Sequence, residues 1–172
     1  PSAVESVALR RLRLLARVGS RFRLKVWGPQ SPAFDRAPGP FPFRVIRWPA
    51  YNQECVKVCR SAGVVLGINT IDTVDLYFSN RTFLTLGSGG FHLTSYVPGL
   101  EEMFENHRHL VWYHSDEECL ELVAYYLNRP TERRWPSSAT PGAMPPIPAR
   151  PGRAWRRTCR RWASPSMRYR AR

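Results

Sequence analysis

Residues 64–96, "VVLGINTIDTVDLYFSNRTFLTLGSGGFHLTSY", divide into a strand, a loop, a short helix, a tight turn and a second strand. "VVLGIN" is an apolar, β-branched run of the kind buried on both faces of a parallel sheet. "TIDTVDLYF" keeps neither the helical nor the strand period and is a loop. Ser79 is a good N-cap for a helix over 80–86, and Gly87 is placed to stop it. "GFHLTSY", from about Gly90 to Tyr96, is the next strand. The glycine cluster between them follows a helix and precedes a strand, the reverse of the order in a dinucleotide fingerprint. It is either a plain helix-to-strand turn or a place where the backbone comes close to a ligand.

The same alternation extends in both directions. Upstream, Val4, Val7, Leu9, Leu12, Leu14, Leu15 and Val18 form a helical stripe among arginines, closed by Gly19. "RFRLKVWG" alternates Phe22, Leu24 and Val26 with charges and ends as a strand at Gly28. The Pro/Gly-rich stretch 29–42 is a loop. "NQECVKVCRSAG" places Cys55, Val58, Cys59 and Ala62 on one helical face. Downstream, Pro98 starts the turn "PGLEEMF" and "HLVWYHS" is a strand. Ser115 and Glu118 then form a capping box for a helix whose buried face is Leu120, Val123, Ala124 and Leu127. Asn128 and Pro130 end it. The expected fold is α/β, a Rossmann-like parallel sheet with helices on both faces.

Charge and composition set the two ends apart from the middle. Residues 1–28 carry a net +6, residues 29–128 a net −4 and residues 129–172 a net +11, with twelve arginines in the last segment. Prolines and arginines dominate from Trp135 onward, so 135–172 reads as a disordered basic tail. Such a tail can bind nucleic acid or another polyanion without sequence specificity, or it can simply be solvated. No apolar stretch reaches 18 residues and no signal peptide stands out, which reads as a soluble, cytoplasmic protein. The four cysteines, Cys55, Cys59, Cys119 and Cys159, fit reduced thiols. His107, His109 and His114 surround a strand without making a compact ligand set, so neither a metal nor another cofactor is expected.

In a parallel α/β sheet, ligands sit beyond the carboxyl ends of the strands, where helix N-termini present free N–H groups. Two such ends are visible, the Gly28 loop and the Ser79 cap with Asn80 and Arg81 behind it. Arginine suits a diphosphate because its planar donors pair with two oxygens and keep their charge. A cation in the first turn is disfavoured by the helix dipole, so Arg81 is either an anion ligand or a salt-bridge partner. Glu101 and Glu102 fit the dipole at the start of their turn and could also accept bonds from sugar hydroxyls.

"AGVVLGIN" and "YFSNRTFLTLGSGGFHLTSYVPGLEEMFENHRHLVWYHSDEECLELVAYYL", in that order, resemble the C-terminal half of the group 1 glycosyltransferase superfamily, in the branch similar to spore-maturation CgeB-like proteins. The resemblance covers roughly residues 43–133, with "RFRLKVWG" as the preceding strand. It implies the C-terminal lobe of a GT-B fold, a nucleotide-diphosphate sugar as donor substrate and transfer to an acceptor that is a glycan, a protein or a small molecule. Asn80 and Arg81 match the family's "NR". By the same resemblance Ser79, Asn80, Arg81, Ser88, Gly89, Gly90 and Glu101 are the donor-binding residues, with the catalytic residues unassigned. Many relatives carry two glutamates eight positions apart where this chain has Leu76 and Leu84, which leaves ribose recognition to Glu101.

The implied organisation is a helix and strand over 1–28, a loop over 29–42, the nucleotide-sugar-binding domain over 43–134 and the tail over 135–172. No acceptor lobe is recognised, so the chain reads as a fragment of a larger enzyme. The competing reading is a noncatalytic interaction protein whose tail binds nucleic acid or another polyanion. Trp155, Trp162 and Tyr169 among the arginines are its support.

Overall fold

The computed structural model describes residues 3–28, 40–46, 50, 52–69 and 71–133. Most of the expected 29–42 loop, the whole expected tail and Cys159 lie outside the described residues. Among the described residues ten elements succeed one another: α1 (Ala3–Arg21), β1 (Lys25–Trp27), β2 (Arg44–Ile46), α2 (Asn52–Ser61), β3 (Val65–Gly67), α3 (Arg81–Gly87), β4 (His92–Ser95), a 3-10 turn (Leu100–Glu102), β5 (Val111–Tyr113) and α4 (Asp116–Leu127). Every strand pairing among the described residues is parallel. β1 pairs with β2, and β3, β4 and β5 form a second sheet with β4 at its centre. Helices flank these sheets, as the alternating pattern predicts. β2 has no counterpart in the sequence pattern.

Two apolar clusters hold the layers together. Leu14 and Val18 of α1 and Cys119, Leu120, Val123 and Tyr126 of α4 pack with Leu93, Val111 and Tyr113 from one sheet face. On the other face, Leu86 of α3 packs with Val97, Leu100, Phe104, Leu110 and Trp112. α2 lies beside α3, with Cys59 buried. Burial pushes the Cys59 thiol up to about 11 and the Cys119 thiol up to about 12, so both stay protonated as core groups.

The buried face of α4 differs slightly from the one its spacing predicts. Leu120 and Val123 are inside as expected, but Cys119 and Tyr126 join them while Leu127 is 38% exposed. Tyr126 is drawn in because its ring packs 4.5 Å from that of Phe91 and its hydroxyl lies 2.7 Å from His107 Nδ1, so the buried polar tip is satisfied. The Ser115 cap forms, with its hydroxyl accepting the Glu118 N–H at 3.1 Å. Glu118 reaches one residue further back than a standard capping box, accepting the His114 N–H at 2.6 Å.

Candidate functional site

Strands β3, β4 and β5 end together, and the segments leaving their carboxyl ends meet there. Asn69, two residues past β3, ties the edge together. Its backbone N–H donates to Ser95 Oγ at 2.8 Å and its side-chain Nδ2 donates to the Ser95 carbonyl at 2.8 Å. Its Oδ1 accepts the Ser79 N–H at 3.2 Å. One side chain therefore fixes the turn ahead of α3 to the ends of β3 and β4.

That turn presents Arg81. The Ser79 hydroxyl accepts the Arg81 N–H at 3.3 Å, and the Ser79 carbonyl accepts the Thr82 N–H at 3.0 Å. Ser79 is not the N-cap that its sequence position predicts, because the cap position falls on Asn80 and Ser79 bonds the helix start from one residue further back. The helix itself begins at Arg81 rather than Asn80, and the Asn80 side chain makes no capping bond. Two of the first N–H groups are already bonded to Ser79, and the Arg81 side chain is exposed beside them. No carboxylate among the described residues lies within ion-pair distance of Arg81. The salt-bridge alternative for this residue has no partner among them.

A second guanidinium arrives from α1. Arg11, part-buried, donates from Nη2 to the Ile68 carbonyl at 2.8 Å, just beyond β3. Burial, and next the charge of Arg81, push Arg11 below its ordinary value. Arg10 is occupied differently, pairing with Asp72 at 3.0 Å.

Beyond β4 and β5 the groups change character. The Tyr96 hydroxyl donates to Glu101 Oε1 at 3.1 Å, and the His114 ring lies 4.6 Å from the Tyr96 ring. Desolvation, the hydrogen bond to Glu101 and the charges of Glu101 and Asp75 raise Tyr96 above the usual phenol range. Tyr96 is therefore a neutral donor beside an acceptor. Glu101 and Glu102 are exposed, behind the left-handed Gly99 (φ 81°).

The expected site residues separate into two groups. Ser79, Asn80, Arg81 and Glu101 lie at the carboxyl edge of the sheet. Ser88, Gly89 and Gly90 lie at the other end of α3, next to the start of β4. There the Gly90 N–H bonds the Thr85 carbonyl at 3.0 Å and the Gly89 N–H bonds the Leu86 carbonyl at 2.9 Å. With Gly89 at φ 72°, this is a Schellman closure of the helix. Of the two readings of the glycine cluster, the helix-to-strand turn is the one that forms. Ser88 is bound inward, its hydroxyl donating to the Leu84 carbonyl at 2.6 Å and its carbonyl accepting Arg60 Nε at 2.9 Å. The structure therefore does not bring these three residues together with Arg81.

Arg11, Asn69 and Tyr96 are additions that the sequence pattern does not single out. Asn69 had a signal, a polar residue closing an apolar strand. Arg11 had none, since Arg10, Arg11, Arg13 and Arg17 look alike in the string. Leu84 and Leu76 stand at the positions where the resembled family holds glutamates. Leu84 is 54% exposed one turn after Arg81, and Leu76 adopts a left-handed φ of 53°.

A family model described as glycosyl transferase-like matches residues 8–170. The matched range begins inside α1 and takes in every later element, so it is wider than the motif resemblance over 43–133. No curated protein and no solved structure matches the chain.

Proposed function

Since the chain belongs to the glycosyl transferase-like family, we propose that it is the donor-binding lobe of a glycosyltransferase of GT-B type, in the CgeB-like branch, and works as part of a larger enzyme. The donor is a nucleotide-diphosphate sugar lying across the carboxyl ends of β3, β4 and β5. The observation that carries this reading is Arg81, exposed at the start of α3 with no carboxylate within ion-pair distance among the described residues, on an edge to which α1 also brings Arg11. Their guanidinium groups grip the diphosphate and offset the charge that grows on it as the sugar departs, the kind of electrostatic help that dominates many transfer reactions. Tyr96 and Glu101, one donor and one acceptor, take hydroxyls of the sugar or ribose. Asn80 adds a neutral donor beside Arg81. The acceptor, a glycan, a protein or a small molecule, and any catalytic base come from outside this lobe.

Calorimetric titration with a panel of nucleoside diphosphates tests the reading. Saturable binding is expected for at least one of them. Arg81→Ala, at an exposed position, should weaken it about 10- to 100-fold, the range of a charge-assisted hydrogen bond, while leaving the urea midpoint in place. Arg11→Lys should weaken it as well, since a point charge cannot replace a planar fork. Salt-sensitive binding of any polyanion, indifferent to Arg81→Ala, would replace this reading with the noncatalytic one.

A further inference from the structure

The central strand β4 begins with a residue that the fold alone does not call for. A parallel strand flanked on both sides by others is most simply filled with aliphatic side chains. Its first residue is instead His92, 2% exposed, whose Nε2 lies 3.2 Å from the hydroxyl of Thr82, 1% exposed in the first turn of α3. Burying an imidazole and a hydroxyl is unfavourable unless they bond each other, and an aliphatic pair would carry no such cost. What the polar pair adds is direction. A hydrogen bond fails outside a narrow range of distance and angle, whereas apolar contacts tolerate sliding. Nor can the ring drift toward β3, since a Cβ on Gly67 would stand only 2.9 Å from His92 Cε1.

Thr82 directly follows Arg81. The bonds from the Arg81 N–H to Ser79 Oγ and from the Thr82 N–H to the Ser79 carbonyl lie inside the turn and move with it. Two other bonds tie the turn to the sheet. The Ser79 N–H reaches Asn69 Oδ1 on one side of Arg81, and Thr82 Oγ1 meets His92 on the other. Arg81 is thereby bracketed through its backbone, while its exposed side chain has no carboxylate within ion-pair distance among the described residues. A guanidinium pairs with two oxygens at once only when its plane is presented correctly, so the placement of this turn decides how well the fork meets a diphosphate.

We propose that His92, acting through Thr82, is a positioning residue for Arg81. The inference rests on the donor-binding reading for what Arg81 grips, and it adds the buried residue that aims the grip.

The test joins titration with the nucleoside diphosphate that the parent chain binds best to amide hydrogen exchange at Arg81 and Leu84, which needs no ligand. Thr82→Val keeps the shape of the side chain and removes the hydroxyl. It should weaken binding about three- to tenfold, the worth of a neutral hydrogen bond, and speed exchange at both amides. Thr82→Ser restores the hydroxyl and should behave as the parent does. Thr85→Val is the control, because Thr85 is as deeply buried in the same helix but sits beside the Cys59 thiol. It should lower the urea midpoint and leave affinity and exchange at Arg81 unchanged. Beside Arg81→Ala the effect of Thr82→Val on affinity should vanish, since residues acting through one contact are not additive. His92→Leu should match Thr82→Val; if that variant does not fold, the valine and serine changes at position 82 still decide the question. Unchanged affinity and exchange in Thr82→Val, an equal loss of affinity in Thr85→Val, or a Thr82→Val effect that persists beside Arg81→Ala overturns the proposal. A parent chain that binds no nucleoside diphosphate overturns the donor-binding reading instead, and the exchange rates of Thr82→Val against Thr85→Val then decide alone whether His92 fixes the turn.

Discussion

The two faces of the central strand β4 are built on different principles. On one face Leu93, fully buried, meets the aliphatic and aromatic side chains of α1, α4 and β5. On the other, His92 and Thr94 are almost as deeply buried, and they face Thr82 and Asn69. His92 Nε2 lies 3.2 Å from Thr82 Oγ1, and Thr94 Oγ1 accepts from Asn69 Nδ2 at 3.4 Å. The apolar face can supply stability without caring about direction. The polar face supplies direction, since its bonds lead through Asn69 and α3 to the turn that holds Arg81.

Leu93→Ala is expected to have the largest effect, a loss of about 2–5 kcal/mol in urea denaturation, because it empties a site with no exposed surface. The folded fraction should bind nucleotide as before. A weakened intrinsic affinity would mean that the two faces are not separate in function. The next effect is pH-dependent and belongs to the polar face. Burial lowers His92 to about 4, so the folded state holds it neutral while the unfolded chain protonates near the ordinary value. Its contribution is fully present above about pH 6.5 and is lost as the pH falls toward 4, at up to about 3 kcal/mol. His92→Gln should flatten this part of the stability profile. An identical slope in the variant would assign the loss to other groups. Asn69→Ala comes last, costing about 1–3 kcal/mol by stranding the Ser95 carbonyl and the Ser79 N–H. Unlike Leu93→Ala it should lower nucleotide affinity in the folded molecule, since it releases the turn before Arg81. A pure stability loss would sharpen the role of Asn69 to scaffold alone.

The sequence is most readable where one local rule governs one element. The helix of α1, the strand around Val65, the Ser115 cap and the glycine turn after α3 each stem from spacing and cap chemistry over a few residues. β2 is hidden because "RVI" is three residues long, lies between arginines and close to prolines, and becomes a strand only by pairing with β1. The face of α4 shifts because a buried hydroxyl finds His107, a contact made across nineteen positions of chain. The candidate site is half legible for the same reason. Ser79 and Arg81 announce themselves at a helix start, and Glu101 behind a Pro-Gly turn. Arg11 reaches the edge only because α1 packs across the sheet, which no local pattern in an arginine-rich helix records.

Gly99 gives the carboxyl edge a mechanical property. Its left-handed backbone leaves no room for a side chain, because a Cβ there would run into the Asp75 carboxylate and the Leu76 side chain. The Leu76 N–H is anchored to the Pro98 carbonyl at 2.8 Å. The approach to α3 and the turn carrying Glu101 are thus riveted at one point. Any side chain at position 99 would therefore displace the approach to α3 and the turn carrying Glu101 together.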